Sequence, residues 1–365
     1  MQFIYSKWRE QTQKKDPFEK LFDLFQQLIN ISSGDVSQAL KWLTELDRMY
    51  KLTEGENYSV AEFIQDLMDK GYIENDEQNG SVVITKKTER SIRQRSLEEI
   101  FSSMKRGPEG QHKSNSIGKG PEREPESRSF RPGDDLTNLD STGTLINALR
   151  HSSLDQFNLK EDDLMVHETD HQTSSATALL IDLSHSMILY GEDRITPAKK
   201  VAMGLSELIM TKYPKDSLDI IAFGNEAWSV NVADLPYLKV GPFHTNTLAA
   251  LQMARSMLLK RKNPNKQIFM ITDGKPSCMK QGARLYKNSF GLDRKIVNRV
   301  LDEARQCRRD KISITTFMIA SDPYLQHFVQ ELTDTNKGRA YYASLDELGG
   351  FILEDYMKNR RKRVN

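Results

Sequence analysis

Apolar residues over the first hundred positions recur at helical spacing. Phe18, Leu21, Phe22, Leu24, Phe25, Leu28 and Ile29 trace one face, opened by the start signal Asp16-Pro17. A second face begins near Asp35 and runs through Ala39, Leu40, Leu43, Leu46 and Tyr50. A third starts at Ser59, keeps Val60, Phe63, Ile64, Leu67 and Met68 together, and stops at Gly71. Tyr72-Ile73, the polar turn Asn79-Gly80 and the β-branched run Val82-Val83-Ile84-Thr85 predict a two-stranded ribbon, with a helix following over 88–104. Past residue 175 the pattern changes. Apolar strands over 178–183, 218–223, 268–272 and 312–319 alternate with amphipathic helices over 197–211, 248–259, 294–307 and 324–332. Residues 228–232 read as an antiparallel edge, 339–342 as a short strand and 345–357 as a closing helix. Buried strands alternating with helices predict an α/β fold with a doubly wound, mainly parallel sheet, covered on both faces.

The order of three helices, a ribbon and a helix resembles a winged-helix module, so residues 1–104 are expected to form a small helical, winged-helix-like domain. Gly, Pro, Ser and charges of both signs dominate 105–135, punctuated by Gly107-Pro108, Gly120-Pro121 and Pro132-Gly133. That stretch holds too little apolar surface to offset ordering and reads as a flexible linker. A bridging segment over 136–174 carries a helix around 145–149 and an acidic stretch at 161–163. The α/β domain is expected over 175–357, with a basic tail over 358–365. A length of 365 residues accommodates two domains, and a net charge of +1 points to no particular partner. The only two cysteines, Cys278 and Cys307, have no C-x-x-C spacing. Such usage fits a reducing cytoplasm and argues against a disulfide scaffold or a structural zinc. No apolar run approaches the ~20 residues of a membrane helix, and the first ten residues lack a signal-peptide core. The expectation is a soluble cytoplasmic protein with no membrane partner.

In an open parallel sheet, ligands bind beyond the carboxyl ends of the strands, near the point where strand order reverses. After the first strand of the α/β domain stand Asp182, Ser184 and Ser186, three oxygen-bearing residues at alternate positions. After the strand over 268–272 stands Asp273-Gly274, and between them lies Gly241-Pro242-Phe243-His244-Thr245-Asn246-Thr247. Hard oxygen donors with only two carboxylates suit Mg²⁺, with Mn²⁺ possible in its place. A cation so held stays under-neutralised and keeps a position open for a carboxylate from another molecule. D-x-S-x-S, a Thr in T-N-T and then T-D-G resemble the metal-ion-dependent adhesion site of the von Willebrand factor A (VWA) family. The resemblance implies direct contacts from Ser184 and Ser186, and Thr245 direct or through water. Asp182 and Asp273 would hold the metal directly or through water, and Thr247 is the weaker choice for the threonine role. His185, Met187, Asn246 and Lys275 are expected to form the lip around the metal.

The helical amino-terminal domain, polar linker, Gly133-Asp134-Asp135, Thr316-Phe317-Met318 and Asp322-Pro323-Tyr324 together resemble a group of bacterial VWA proteins. These are similar to the A domain of the magnesium chelatase D subunit and to proteins working beside MoxR-type AAA+ ATPases. The resemblance implies no enzyme but a Mg-dependent adaptor linking a AAA+ ATPase to a client protein that donates an Asp or Glu to the metal. Chelatase activity does not follow, because the chain has no AAA+ module of its own.

Two alternatives rest on other residues. His167-Glu168-Thr169-Asp170-His171 matches the H-E-x-x-H zinc peptidase signature, which needs both imidazoles on one helical face. Here the motif runs into the first sheet strand, and no third ligand follows save Glu192, in the loop beside the metal-site residues. A DNA-associated regulator would use the winged-helix-like part. Its candidate recognition helix carries Glu62, Asp66 and Asp69 against Lys70, a balance that repels phosphate and argues against nucleic acid. Lys86, Lys87, Arg90, Arg93 and Arg95 leave a weak basic footprint. Gly107 to Ser114 is a near miss to a phosphate-binding loop, lacking the strand before and the helix after.

Overall fold

The computed structural model describes residues 16–54, 58–76, 81–106, 127–130, 139–150, 159–167, 174–191, 193–273, 275–282, 284–288, 291–319, 323–342 and 347–360. The amino-terminal part holds α1 (Pro17–Ile31), α2 (Val36–Tyr50), α3 (Val60–Asp69), β1 (Ile73–Asn75), β2 (Val82–Ile84) and α4 (Lys86–Arg106). Its helices begin where local chemistry satisfies their first N–H groups. Pro17 opens α1, Asp35 accepts from the Gln38 N–H at 2.9 Å, and Ser59 and Glu62 form a reciprocal capping box on α3. Gly71 takes a φ of +67° after α3, and the chain returns as the antiparallel β1–β2 ribbon with Ile73 opposite Ile84.

The chain divides into two compact units, the first combining 1–107 with 174–365 and the second comprising 108–173. The second unit contains β3 (Ser127–Ser129), α5 (Ser141–Leu149) and β4 (Met165–His167). β3 pairs antiparallel with β4, Ser127 opposite His167. Asp140 caps α5 by accepting from the Gly143 N–H at 2.9 Å, and takes a second bond from the Ser127 hydroxyl at 2.6 Å. Thus the stretch expected to be a flexible linker contains a short strand, with a partner some 40 residues away. The H-E-x-x-H motif opens on an antiparallel strand at His167, while Glu168 to His171 lie outside the described residues. So do Gly107 to Ser114, Gly133 to Asp135 and the end of the basic tail.

The first unit continues with β5 (Ser175–Asp182), α6 (Ile195–Lys212), β6 (Ser217–Phe223), β7 (Ala227–Val230), α7 (Thr247–Lys260) and β8 (Asn265–Thr272). A hairpin of β9 (Cys278–Gln281) and β10 (Arg284–Lys287) follows, then α8 (Arg294–Arg309), β11 (Ile312–Met318), α9 (Pro323–Asn336), β12 (Arg339–Tyr342) and α10 (Leu348–Arg360). The six-stranded sheet runs β12-β11-β8-β5-β6-β7, parallel except for the antiparallel edge β7. Every residue of β5 is buried, as a central parallel strand requires. Leu179 and Ile181 join a core with α6 and α10, while Ala178 and Leu180 face α7, α8 and α9. The α/β expectation and the positions of its strands hold.

The first core does not end at α6. Phe25, Ile29, Phe63, Ile92 and Ile100 from the amino-terminal helices belong to it. Ile100 sits where Gly204 of α6 and Gly349 of α10 leave room: a Cβ would lie 2.8 Å from it at Gly204 and 2.7 Å at Gly349. Arg93 pairs with Glu207 at 3.3 Å, and Lys200 with Glu99 at 3.0 Å. Lys199, fully buried, donates to the carbonyls of Asn30 at 2.7 Å, Pro236 at 3.2 Å and Leu238 at 3.4 Å, and to the Ser33 hydroxyl at 3.3 Å. Asn30 lies in the last turn of α1, where carbonyls lack helical partners and the helix dipole favours a cation. No helix among the described residues is long and apolar enough to cross a membrane.

Candidate metal centre

Asp182 is the last residue of β5 and Asp273 the first after β8, adjacent parallel strands whose carboxyl ends point the same way. Strand order reverses beside β5, since β6 follows on one side and β8 returns on the other, which leaves a crevice there. As the chain leaves β5, the Ser184 N–H donates to Asp182 Oδ1 at 2.9 Å and folds the D-x-S-x-S segment into a tight turn. Asp182 Oδ2 accepts from the Thr272 hydroxyl at 2.6 Å, so the two strand ends are joined through side chains. Ser184 Oγ lies 3.0 Å from Ser186 Oγ, which donates to Asp273 Oδ1 at 2.8 Å. Four of the five expected residues thereby form one continuous polar chain.

Thr245 is brought in by backbone. Its N–H donates to Ser277 Oγ at 2.9 Å, and its carbonyl accepts from the N–H groups of Ser277 at 3.0 Å and Cys278 at 3.3 Å. The same loop is tied to the first turn: the His185 N–H donates to the Phe243 carbonyl at 3.1 Å, and the Gly241 N–H to the Leu183 carbonyl at 3.3 Å. Phe243 anchors the loop. A Cβ at Gly224 or Gly241 would lie 2.7 or 2.2 Å from that side chain, so glycine is required at both places. Trp228 of β7 meets the ring edge-on, with centroids 6.2 Å apart.

Two expected lip residues point inward. Met187 is wholly buried among core side chains. Asn246 is buried too: its Oδ1 accepts from the Ala249 N–H at 3.0 Å to cap α7, and its Nδ2 donates to the Asn225 carbonyl at 2.8 Å. Thr247 is buried in the first turn of α7. His185 stays exposed and Lys275 half-buried.

Arg194 was not part of the expected set. It stands at the start of α6, 14% exposed in its side chain, with Nη1 2.5 Å from Asp273 Oδ2. Two buried carboxylates therefore converge with one guanidinium. Burial, and then the charge of Asp273, push the Asp182 carboxyl up to about 7. The cluster is short of positive charge. Its donors are carboxylates and hydroxyls, and among the described residues no group of three or more His, Cys, Asp and Glu is placed to hold a metal ion. This donor chemistry fits Mg²⁺ or Mn²⁺ better than zinc.

Neither cysteine adds to the site. Burial pushes both Cys278 and Cys307 up to about 12, leaving them thiols at neutral pH. The basic footprint near the ribbon is largely engaged inside the unit. Arg93 pairs with Glu207, Arg95 with Asp23 and Glu99, and Lys87 donates to the Lys70 carbonyl.

Residues 175–357 match the family model described as the vWA domain of Rv0959-like proteins, and residues 122–169 match the third domain of the same proteins. The uncharacterized protein Rv0959 of Mycobacterium tuberculosis is 28% identical over 314 residues, covering 83% of this chain and 46% of that protein. Mb0984 of Mycobacterium bovis gives the same values. The chain thus spans about half the length of the curated relatives it matches. Among solved structures, the vWF domain of the pilus tip protein Mfa5 from Porphyromonas gingivalis is 12% identical with a TM-score of 0.43, covering 53% of this chain and 98% of that one. BatB from Bacteroides thetaiotaomicron is 14% identical with a TM-score of 0.39, covering 52% and 100%.

Proposed function

The chain belongs to the Rv0959-like vWA proteins, and from that footing we propose that it is a cytoplasmic, non-enzymatic adaptor that grips a partner protein through a bound Mg²⁺ or Mn²⁺. The observation that carries this reading is the unbroken hydrogen-bonded path Thr272–Asp182–Ser184–Ser186–Asp273 across two strand ends, with the Thr245 loop fastened beside it. Ser184, Ser186 and Thr245 supply neutral oxygens, while Asp182 and Asp273 supply the negative charge. Both Asp182 oxygens already accept hydrogen bonds from protein groups, which suits a role through water. Bound there, the cation would supply a Lewis-acid position open to an Asp or Glu of the partner. The exposed His185, Ile188 and Trp228 belong to the same end of the sheet and would meet that partner's surface.

The amino-terminal helices would dock a second protein, for which a AAA+ ATPase of the MoxR type is our candidate. They share a core with α6, whose N-cap residue Arg194 reaches the metal site, so the two binding events would meet in one helix. Calorimetric titration of the full chain with Mg²⁺ and Mn²⁺ tests the reading. Saturable uptake by the native protein, reduced at least about tenfold in Ser186→Ala and abolished in Asp273→Ala, is expected. Uptake indifferent to both substitutions would end it, as would absence of uptake both with the Arg194 charge in place and with it removed.

A further inference from the structure

We propose that Arg194 is a built-in counter-cation of the site and sets its affinity for metal: guanidinium and divalent cation compete for Asp273. The inference rests on the reading of Asp182, Ser184, Ser186, Thr245 and Asp273 as metal ligands. Arg194 Nη1 lies 2.5 Å from Asp273 Oδ2 while Ser186 Oγ occupies Oδ1 at 2.8 Å, so both carboxylate oxygens are engaged. Asp273 offers no exposed side-chain surface. A charge taken from water in this way needs an opposite charge in contact.

The guanidinium is not a loose surface group. The Arg194 N–H donates to the Met187 carbonyl at 3.1 Å, which ties the residue's backbone to the D-x-S-x-S turn. The helix it starts is held along its length by Lys199, by Gly204 against Ile100 and by Glu207 against Arg93. Its position is therefore fixed by the same packing that joins the amino-terminal helices to the sheet. A divalent cation arriving between Ser186 and Asp273 meets a like charge in a partly dry site, where repulsion is poorly screened. It must displace the guanidinium or tolerate it, and either lowers affinity. The device partly neutralises the resting site and raises the metal concentration at which it half-fills.

Mn²⁺ titration of the full-length chain tests this by calorimetry, after circular dichroism has shown each variant folded. Arg194→Gln should bind at least about tenfold more tightly than the native protein, and Arg194→Lys, which keeps the charge, should stay within about threefold of it. A Gln variant that binds while the native protein does not supports the proposal equally. Equal or weaker binding by Arg194→Gln overturns it while leaving the metal reading intact. No uptake by the native, Gln or Lys forms removes the metal reading and the competition together. Should Arg194→Gln fail to fold, ¹⁵N NMR of the arginine guanidinium groups in the native protein decides. Mg²⁺ should speed proton exchange at the resonance missing from Arg194→Lys, and an unchanged rate overturns the proposal.

Discussion

Lys199 bonds to three backbone carbonyls and one hydroxyl, all neutral, in a place without solvent. Burial pulls its ammonium down to about 8, from an ordinary 10.5. Because the folded value lies below the unfolded one, the cost of the buried charge is fully present below pH 8. Between 8 and 10.5 the unfolded chain holds a proton that the native state releases, so stability rises with pH. Urea denaturation of the native protein and Lys199→Met at pH 7.5 and 10 should show the native form gaining on the variant by roughly 2–3 kcal/mol. A pH-independent difference would mean that the carbonyl cage holds the ammonium charged throughout. Asn336 makes a second residue-scale case. Its buried amide accepts from the Ile314 N–H at 2.7 Å and donates to the carbonyls of Ala304 at 3.1 Å and Ile312 at 3.2 Å, stitching α8, α9 and β11 together. Asn336→Ala strands three backbone groups and should cost roughly 2–4 kcal/mol in chemical denaturation.

Helix α4 seats one large side chain, Ile100, in a slot made by two glycines of the α/β part. Ile100→Ala would empty that slot, and a loss of roughly 2–4 kcal/mol is expected in the same denaturation assay. Gly204→Val should also destabilise, by overfilling the slot, so that opposite volume changes give the same sign. The elements themselves were legible in the sequence. Asp35 and Ser59 announce helix starts, and apolar runs such as Leu179-Leu180-Ile181 mark strands buried on both faces. The β9–β10 hairpin was not legible: its two strands are four residues each, buried only at Cys278 and Met279, and its turn at Gly282 takes a φ of +58°. Ser127–Ser129 is polar throughout and is extended because β4 pairs with it, a long-range cause that spacing does not record. Among site residues, those directly after a strand were readable, since the strand's end fixes where they stand. Arg194 and Ser277 reach the site by side-chain direction, and Met187 and Asn246 turn away from it for the same reason. Helix α6 did carry a signal: from Val201 to Ile209 every residue is buried, the mark of a helix covered on both sides.

At the scale of the molecule, that burial means the amino-terminal helices and the sheet share one hydrophobic core. They should open together. Native-state hydrogen exchange on the full chain is expected to give the slowest amides of α4 and β8 opening free energies within about 1 kcal/mol of each other. Early loss of protection across α1 to α4, with the sheet still closed, would show that the shared core is not cooperative. The shared core also has a history within each molecule's synthesis. Helices α1 to α4 leave the ribosome before the sheet does, yet the surface that covers Phe25, Ile92 and Ile100 is completed only by α6 and, later, by α10. At the usual ~5–20 residues per second, the hundred or so positions between the end of α4 and the end of α6 take on the order of 5–20 s to appear, and α10 comes later still. Through that interval an apolar helical face waits uncovered in the crowded cell, and nascent chains of this protein should be clients of holding chaperones before they are anything else.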